Sequence, residues 1–490
     1  MAFGRYIENV RPRPDVMDES VMRCTLFRAS LVAIIAAFLS SASSNYGQMP
    51  NGLPKGQITE RVVCQNDPTQ SYALYLPSTY THDREWPLLY CFDSIGNGKL
   101  PLGRFREAAE RYGYIIAGSN NSKNGVVKLS LDAFKAVWAD THARFSINDA
   151  RVYTAGFSGG ARIASLIASF YRIEGVIACG AGFQVGLSPS KKTVFSFFAT
   201  VGSDDFNFPE MKSLEKTLSK KGVVNRLVEF DGWHNWAPTD LCTTALGWME
   251  IQAMKRNKRD KDEALIDRLF TQWLEDAATF ERNDRPYEAY LRFESLAVDF
   301  KGFRDVSAVE KRAASLKETE RVKRAIRQES DQALKQKEVE DEIWSYADML
   351  DDPDARVTAI GRLKERIAAL RKDFGAREPS DRRRVVRRAL THLFEVFYER
   401  GTIKHANNYP LAIRYLEIAV EINPGDSRAS YRLACMYSMK GEKKKALAAL
   451  TAAVEKGFTD LTSLESSKEL ETIRKEAEFQ RIVERLRLSH

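Results

Sequence analysis

A serine hydroxyl attacks a carbonyl carbon only when a neighbouring base removes its proton and a further group holds that base in place. Ser158 stands in Gly156-Phe157-Ser158-Gly159-Gly160, a G-x-S-x-G pattern that follows the apolar run at residues 151–155 (RVYTA) and opens a helical stretch. A nucleophile on a sharp strand-to-helix turn needs glycines around it, because side chains there would strike the strand and the helix. The start of the helix also puts the Gly159 amide where an oxyanion would form. Of six histidines, His82 and His142 precede Ser158, and His392, His405 and His490 lie in the C-terminal half. That leaves His234, in the Phe230–Trp236 stretch FDGWHNW just past the last expected strand, as the candidate base. The orienting acid is expected in the turn Gly202-Ser203-Asp204-Asp205-Phe206-Asn207. Asp205, fourth in a G-x-x-D turn, is preferred to Asp204, and Asp231 reads as a loop residue. A second oxyanion donor is expected after residues 86–92, from the Ser94 or Ile95 amide, with Ser94 carried forward. Trp233 and Trp236 are either an aromatic wall for substrate or plain packing, and Asn121 lies in a polar loop (SNNSKNG, residues 119–125) expected at the same rim.

These residues need a scaffold. Short apolar runs at 72–76, 86–92, 114–117, 151–155, 175–179, 194–201 and 226–230 read as strands, several apolar on both faces. Helical periodicity at 104–112, 131–145, 160–171, 211–221 and 241–254 separates them. Strand and helix alternating at this spacing imply right-handed crossovers and a mostly parallel sheet covered on both sides, an α/β class. No segment between strands is long enough for a lid, so an open site is expected.

Charge divides the chain. Residues 255–490 carry 48 basic and 43 acidic side chains, and residues 1–254 carry 26 and 23. The near balance in the dense half, and a net +8 over 490 residues, argue against a nucleic-acid surface. The run KRNKRDKD at 255–262 reads as a solvated linker. Beyond it no strand is expected. Residues 265–280, 286–300, 304–349, 355–374 and 381–400 show helical periodicity with charged outer faces, and such helices must pair side by side. The tract RRRVVRR at 382–388 fits either an acidic partner or a solvated helix face.

The N-terminus has the marks of export. Arg23 and Arg28, then LVAIIAAFL at 31–39, then small residues make a signal-peptide pattern over 1–44, with Met22 the expected true start and Met17 the alternative. The apolar run is too short to span a membrane, so no stable span is expected after cleavage; an uncleaved anchor is the alternative. A flexible link follows at 45–57. Six cysteines form no CxxC pair and no zinc-spaced cluster with histidine, so no metal or cofactor is implied; one bridge among Cys64, Cys91, Cys179 and Cys242 stays open in an exported chain.

The tract RVYTAGFSGGARIA, the GSDDFN turn and the GWHNW loop resemble an α/β-hydrolase, similar to secreted polyhydroxybutyrate depolymerases and feruloyl esterases. The resemblance covers residues 60–254, within a catalytic domain expected over 58–254. It implies Ser158 as nucleophile, Asp205 as acid and His234 as base, with an ester as substrate and no cofactor. The oxyanion loop departs from the HGGG type. Residues 263–490 are expected to form an all-α repeat domain: residues 411–458, through Ala412, Leu416, Ala419, Pro424, Leu433, Ala434, Tyr437, Gly441, Ala446, Leu450 and Ala453, resemble tetratricopeptide repeats, which implies a protein-binding surface. The expectation is an exported (periplasmic or extracellular) carboxylic ester hydrolase. The alternatives are a non-catalytic scaffold that binds through its helices, and a serine peptidase.

Overall fold

Strands that are apolar on both faces can be satisfied only in the middle of a covered sheet. The computed structural model, which describes residues 52–352, 354–374 and 380–488, contains such a sheet. Its strands are β1 (Ile58–Val63), β2 (Ser71–Tyr75), β3 (Trp86–Phe92), β4 (Ile115–Ser119), β5 (Ile147–Phe157), β6 (Gly175–Cys179), β7 (Ser196–Gly202) and β8 (Asn225–Phe230). They lie in the order β1-β2-β4-β3-β5-β6-β7-β8. The two pairings of β2, with β1 and with β4, are antiparallel; β4, β3, β5, β6, β7 and β8 run parallel. This is the α/β-hydrolase arrangement. Strand β1 has no counterpart in the expected strands, because at this sheet edge only Val62 is buried and no apolar run marks it.

Five helices cover the sheet: α1 (Lys99–Tyr112), α2 (Val127–Arg144), α3 (Gly159–Phe170), α4 (Phe208–Lys220) and α5 (Thr239–Lys255). Phe134 of α2, Ile163 of α3 and Met211 of α4 pack into the core on one face. Phe105 of α1 and Trp248 of α5 fill the other.

The remaining described chain is helical: α6 (Glu263–Arg282), α7 (Pro286–Phe300), α8 (Ser307–Glu318), α9 (Glu320–Ala347), α10 (Arg356–Phe374), α11 (Asp381–Glu399), α12 (Tyr409–Ile422), α13 (Ser427–Met439), α14 (Lys443–Glu455), α15 (Leu461–Ser466) and α16 (Ala477–Leu488). The periodic stretch 304–349 is two helices rather than one. Thr319 ends the first and caps the second, its side chain accepting from the Val322 amide. Helices α12, α13 and α14 pack as neighbours, and Ala412, Ala419, Ala434, Ala446 and Ala453 are buried where they approach.

The described residues from Leu53 onward form one compact unit. The core beneath α1 and α5 continues through Leu269 and Trp273 of α6 and Phe293 of α7 to Val322 of α9. The charge run at 255–262 keeps Lys255, Asn257, Asp260 and Lys261 exposed, but its other residues tie it to the fold. Arg256 donates to the carbonyls of Glu174 and Val194, Arg259 pairs with Glu250 and Asp262, and Asp262 caps α6 at the Leu265 amide. Its arginines find carbonyls and carboxylates at the sheet's lower edge, which a reading of local charge does not reveal. Cys64, Cys91, Cys179, Cys242 and Cys435 are all buried and unbridged. The expected signal segment at 1–44, Cys24, and most of the link at 45–57 lie outside the described residues. No helix among the described residues is long and apolar enough to cross a membrane.

One buried ion pair joins the sheet to the helices. Arg226 of β8 donates to Asp299 of α7 at 2.9 Å, and Trp248 of α5 donates to the other carboxylate oxygen at 2.7 Å. Both charged side chains are 5% exposed. Removing one partner of such a pair leaves the other charge buried and unmatched, at a cost of about 3–5 kcal/mol. Asp299→Ala is therefore expected to lower unfolding free energy by about that amount, measured by urea denaturation; a loss below about 1 kcal/mol would show the pair to be dispensable.

Candidate functional site

The site is built on the turn from β5 into α3. Ser158 sits between them at φ 54° and ψ −122°, a region that costs a non-glycine residue about 1–3 kcal/mol. Its amide donates to the Cys179 carbonyl at 2.9 Å and its carbonyl accepts from Ala161 at 3.0 Å, which hold the strained turn in place. The flanking glycines are required by close approach. A Cβ at Gly156 would come 2.1 Å from the Gly160 carbonyl oxygen, and one at Gly160 would come 2.0 Å from the Phe92 carbonyl oxygen of β3.

Three chain segments then converge. Ser158 Oγ lies 2.8 Å from His234 Nε2, and His234 Nδ1 lies 2.9 Å from each carboxylate oxygen of Asp205. A carboxylate accepts but cannot donate, so Nδ1 carries the proton and Nε2 is free to accept from the serine. Asp205 is fully buried and also accepts from the Asn207 amide at 2.8 Å. Asn207 in turn donates to the Gly180 carbonyl at 2.7 Å. His234 is flanked by the rings of Phe157 and Phe206, with centroids 4.7 and 4.2 Å away.

Asp204 points elsewhere, into an ion pair with Arg387 and 3.5 Å from Arg384. Asp231 is exposed, 3.5 Å from Arg285. The Ile95 amide donates to the Asp93 carboxylate at 3.0 Å. The Ser94 and Gly159 amides have no protein acceptor among the described residues, so of the two loop amides Ser94 is the one available to a ligand.

Two expected substrate contacts do not join the site. Trp236 is buried beneath it, donating to Asp93 at 2.7 Å and packing on Phe157, because Asp93 offers its indole N–H a buried acceptor. Asn121 is turned to the sheet edge, accepting from the Ser71 amide at 2.9 Å and donating to the Thr69 carbonyl at 3.2 Å. Trp233, in contrast, is 53% exposed beside His234. From the same polar loop, Asn124 is the residue that reaches the Ser158 turn: a Cβ at Gly159 would come 1.8 Å from its Oδ1.

The expectation of an open site is corrected on one side. Helices α9 and α11 lie against the acid-bearing turn, although no insertion between strands exists; the cover comes from the far end of the chain. Arg388 of α11 donates to the Ser203 carbonyl, and Gln336 of α9 donates to the Phe206 carbonyl at 2.9 Å. His392 stacks on Phe206 with centroids 5.6 Å apart. Glu399, at the end of α11, accepts from Asn124 at 3.4 Å. Burial pushes the Arg388 guanidinium down to about 10, helped by Arg384 nearby. Burial also pulls His392 down, but its contact with Glu340, 3.0 Å away, outweighs this and raises it overall. Arg384, Arg387 and Arg388 share one helix face at i, i+3 and i+4, a pattern present in the tract RRRVVRR. The acidic group facing them, Asp204, belongs to this same chain.

A separate cavity of about 660 Å³ lies behind the acid turn, lined by Ser203, Arg226, Phe230, Trp273, Arg292 and Arg388 among others; Ser158 and His234 do not line it. No group of three or more metal-ligating side chains occurs among the described residues.

A scan against protein-family models finds no match, and a search of curated proteins finds none. Among solved structures, similar chains include an S-formylglutathione hydrolase from Staphylococcus aureus, at 14% identity and a TM-score of 0.33, covering 41% of this chain and 99% of that one. A ferulic acid esterase has 15% identity and a TM-score of 0.32, covering 39% and 94%. An esterase from Pyrobaculum calidifontis has 13% identity and a TM-score of 0.33, covering 52% and 99%. Likenesses this distant do not say what this chain does; its strand order and the geometry around Ser158 stand on their own.

Proposed function

We propose that this chain is a serine hydrolase that cleaves carboxylic esters through an acyl-enzyme on Ser158. The observation that carries the reading is the unbroken hydrogen-bonded line from Ser158 Oγ through His234 to buried Asp205, at 2.8 and 2.9 Å. Ser158 Oγ attacks the ester carbonyl while its proton passes to His234 Nε2, and Asp205 steadies the resulting imidazolium. The Gly159 and Ser94 amides receive the oxyanion. The carbon–oxygen bond to the leaving alcohol then breaks, with the proton delivered from His234. Water, activated by the same histidine, releases the acid and restores the serine. Exposed Trp233 is the aromatic contact for substrate.

The reading extends to export, directed by residues 1–44, and to the outer helices α12–α14 as a protein-docking stack. Their buried alanines support close helix pairing of the repeat type.

The test is covalent labelling. A fluorophosphonate probe is expected to label the wild type and not Ser158→Ala; an unlabelled wild type would favour the scaffold reading. With p-nitrophenyl butyrate as substrate, His234→Ala is expected to lower kcat by about 10³-fold or more, and unchanged turnover would remove His234 from the mechanism. For export, mass spectrometry of the mature protein is expected to find no peptide from residues 22–40. Recovery of those peptides would mean the segment is retained.

A further inference from the structure

The two segments that carry the acid and the base are bridged by a residue from neither. Arg387 of α11 forms an ion pair with Asp204, the neighbour of Asp205. The same guanidinium lies 4.3 Å from the ring centroid of Trp233, the neighbour of His234. Its side chain is only 14% exposed, which limits screening of the pair by water. Arginine suits both contacts at once, since its planar head can face a ring while its edge meets a carboxylate.

The surroundings point the same way. In the turn Ser203–Phe206, every residue but Asp205 is gripped from the helical half: Ser203 by Arg388, Asp204 by Arg387, Phe206 by Gln336 and His392. Asp205 alone faces inward, to His234. The turn is also stitched to the histidine segment, through Ser203 N–H to the Phe230 carbonyl and Asp204 N–H to the Gly232 carbonyl, each 2.8 Å. These backbone bonds set the spacing of the segments, and Arg387 closes the assembly on its outer side.

We infer that Arg387 is a positioning residue for the reaction proposed above: by holding Asp204 and Trp233 together it keeps Asp205 in register with His234. The inference rests on the reading of Ser158, Asp205 and His234 as the working triad. Arg387 makes no contact with the reacting atoms and acts only through its two neighbours. Misplacing a catalytic group by about 1 Å costs about 10²-fold in rate, so a loosened acid–base pair should appear in kcat.

The experiment uses the full chain, with p-nitrophenyl butyrate turnover and fluorophosphonate labelling rate as readouts. Arg387→Ala is expected to lower kcat by about 10- to 100-fold and to slow labelling in proportion, with a smaller rise in KM because Trp233 also meets substrate. Arg387→Lys keeps the charge but not the planar face, and is expected to recover part of the loss. Asp204→Asn preserves side-chain shape and removes only the charge, so it serves where Arg387→Ala fails to fold; about a 10-fold fall in kcat is expected. A folded Arg387→Ala or Asp204→Asn variant with kcat within about twofold of wild type would overturn the inference. So would an equal loss in Arg387→Ala and Arg387→Lys, or a loss confined to KM. A wild type that neither labels nor turns over ester would instead overturn the triad reading itself.

Discussion

The arrangement depends on how closely α3 approaches the sheet. At Gly156 and Gly160 the helix and strands meet with no room for a side-chain carbon, the missing atoms falling 2.1 and 2.0 Å from carbonyl oxygens. That contact forces the chain to reverse at Ser158 with a positive φ, and the reversal lifts Oγ off the sheet's carboxyl edge. The strain is sustained by parallel pairing on both sides, since the end of β5 that leads into Ser158 is paired with β3 over Val152–Gly156 and with β6 over Tyr153–Phe157. A strained turn is affordable only where rigid neighbours over-determine it.

The helical half is woven into this framework. Asp299 reaches from α7 to Arg226 of β8, and the apolar core runs on without interruption from α5 into α6 and α7. Helix α11 makes the second junction, crossing from the acid turn to Asn124. A helix of nineteen residues spans roughly 28 Å, enough to contact both segments at once. The site thus has a floor of sheet and a side wall of helix, and the wall comes from residues almost two hundred positions later.

Much of this was legible in the sequence because it rests on local patterns. The strand at 86–92 shows itself by seven consecutive apolar residues, and Ser158 by the glycines around it. His234 emerges because it is the one histidine between Ser158 and the helical half. Between Asp204 and Asp205 the turn pattern favours the second, but the reason for the first became visible only with Arg387 beside it. What stayed hidden depends on distant pairing. Residues 58–63 form a strand only because β2 offers them an edge, and Thr319 divides a continuous helical pattern by capping. Trp236 reads equally as wall or as packing until Asp93 is found at its indole N–H. The tract RRRVVRR announces a cationic face but not which carboxylate it meets.

The contact between Arg388 and Ser203 joins residues 185 positions apart. A ribosome adds about 5–20 residues each second, so the turn bearing Asp205 is made roughly ten to forty seconds before the helix that grips it. During that interval the sheet has its strands and the serine its glycines, but the outer side of the acid turn stands bare. The order of synthesis therefore leaves the wall of the candidate site to be added well after its sheet, and this timing follows from connectivity alone.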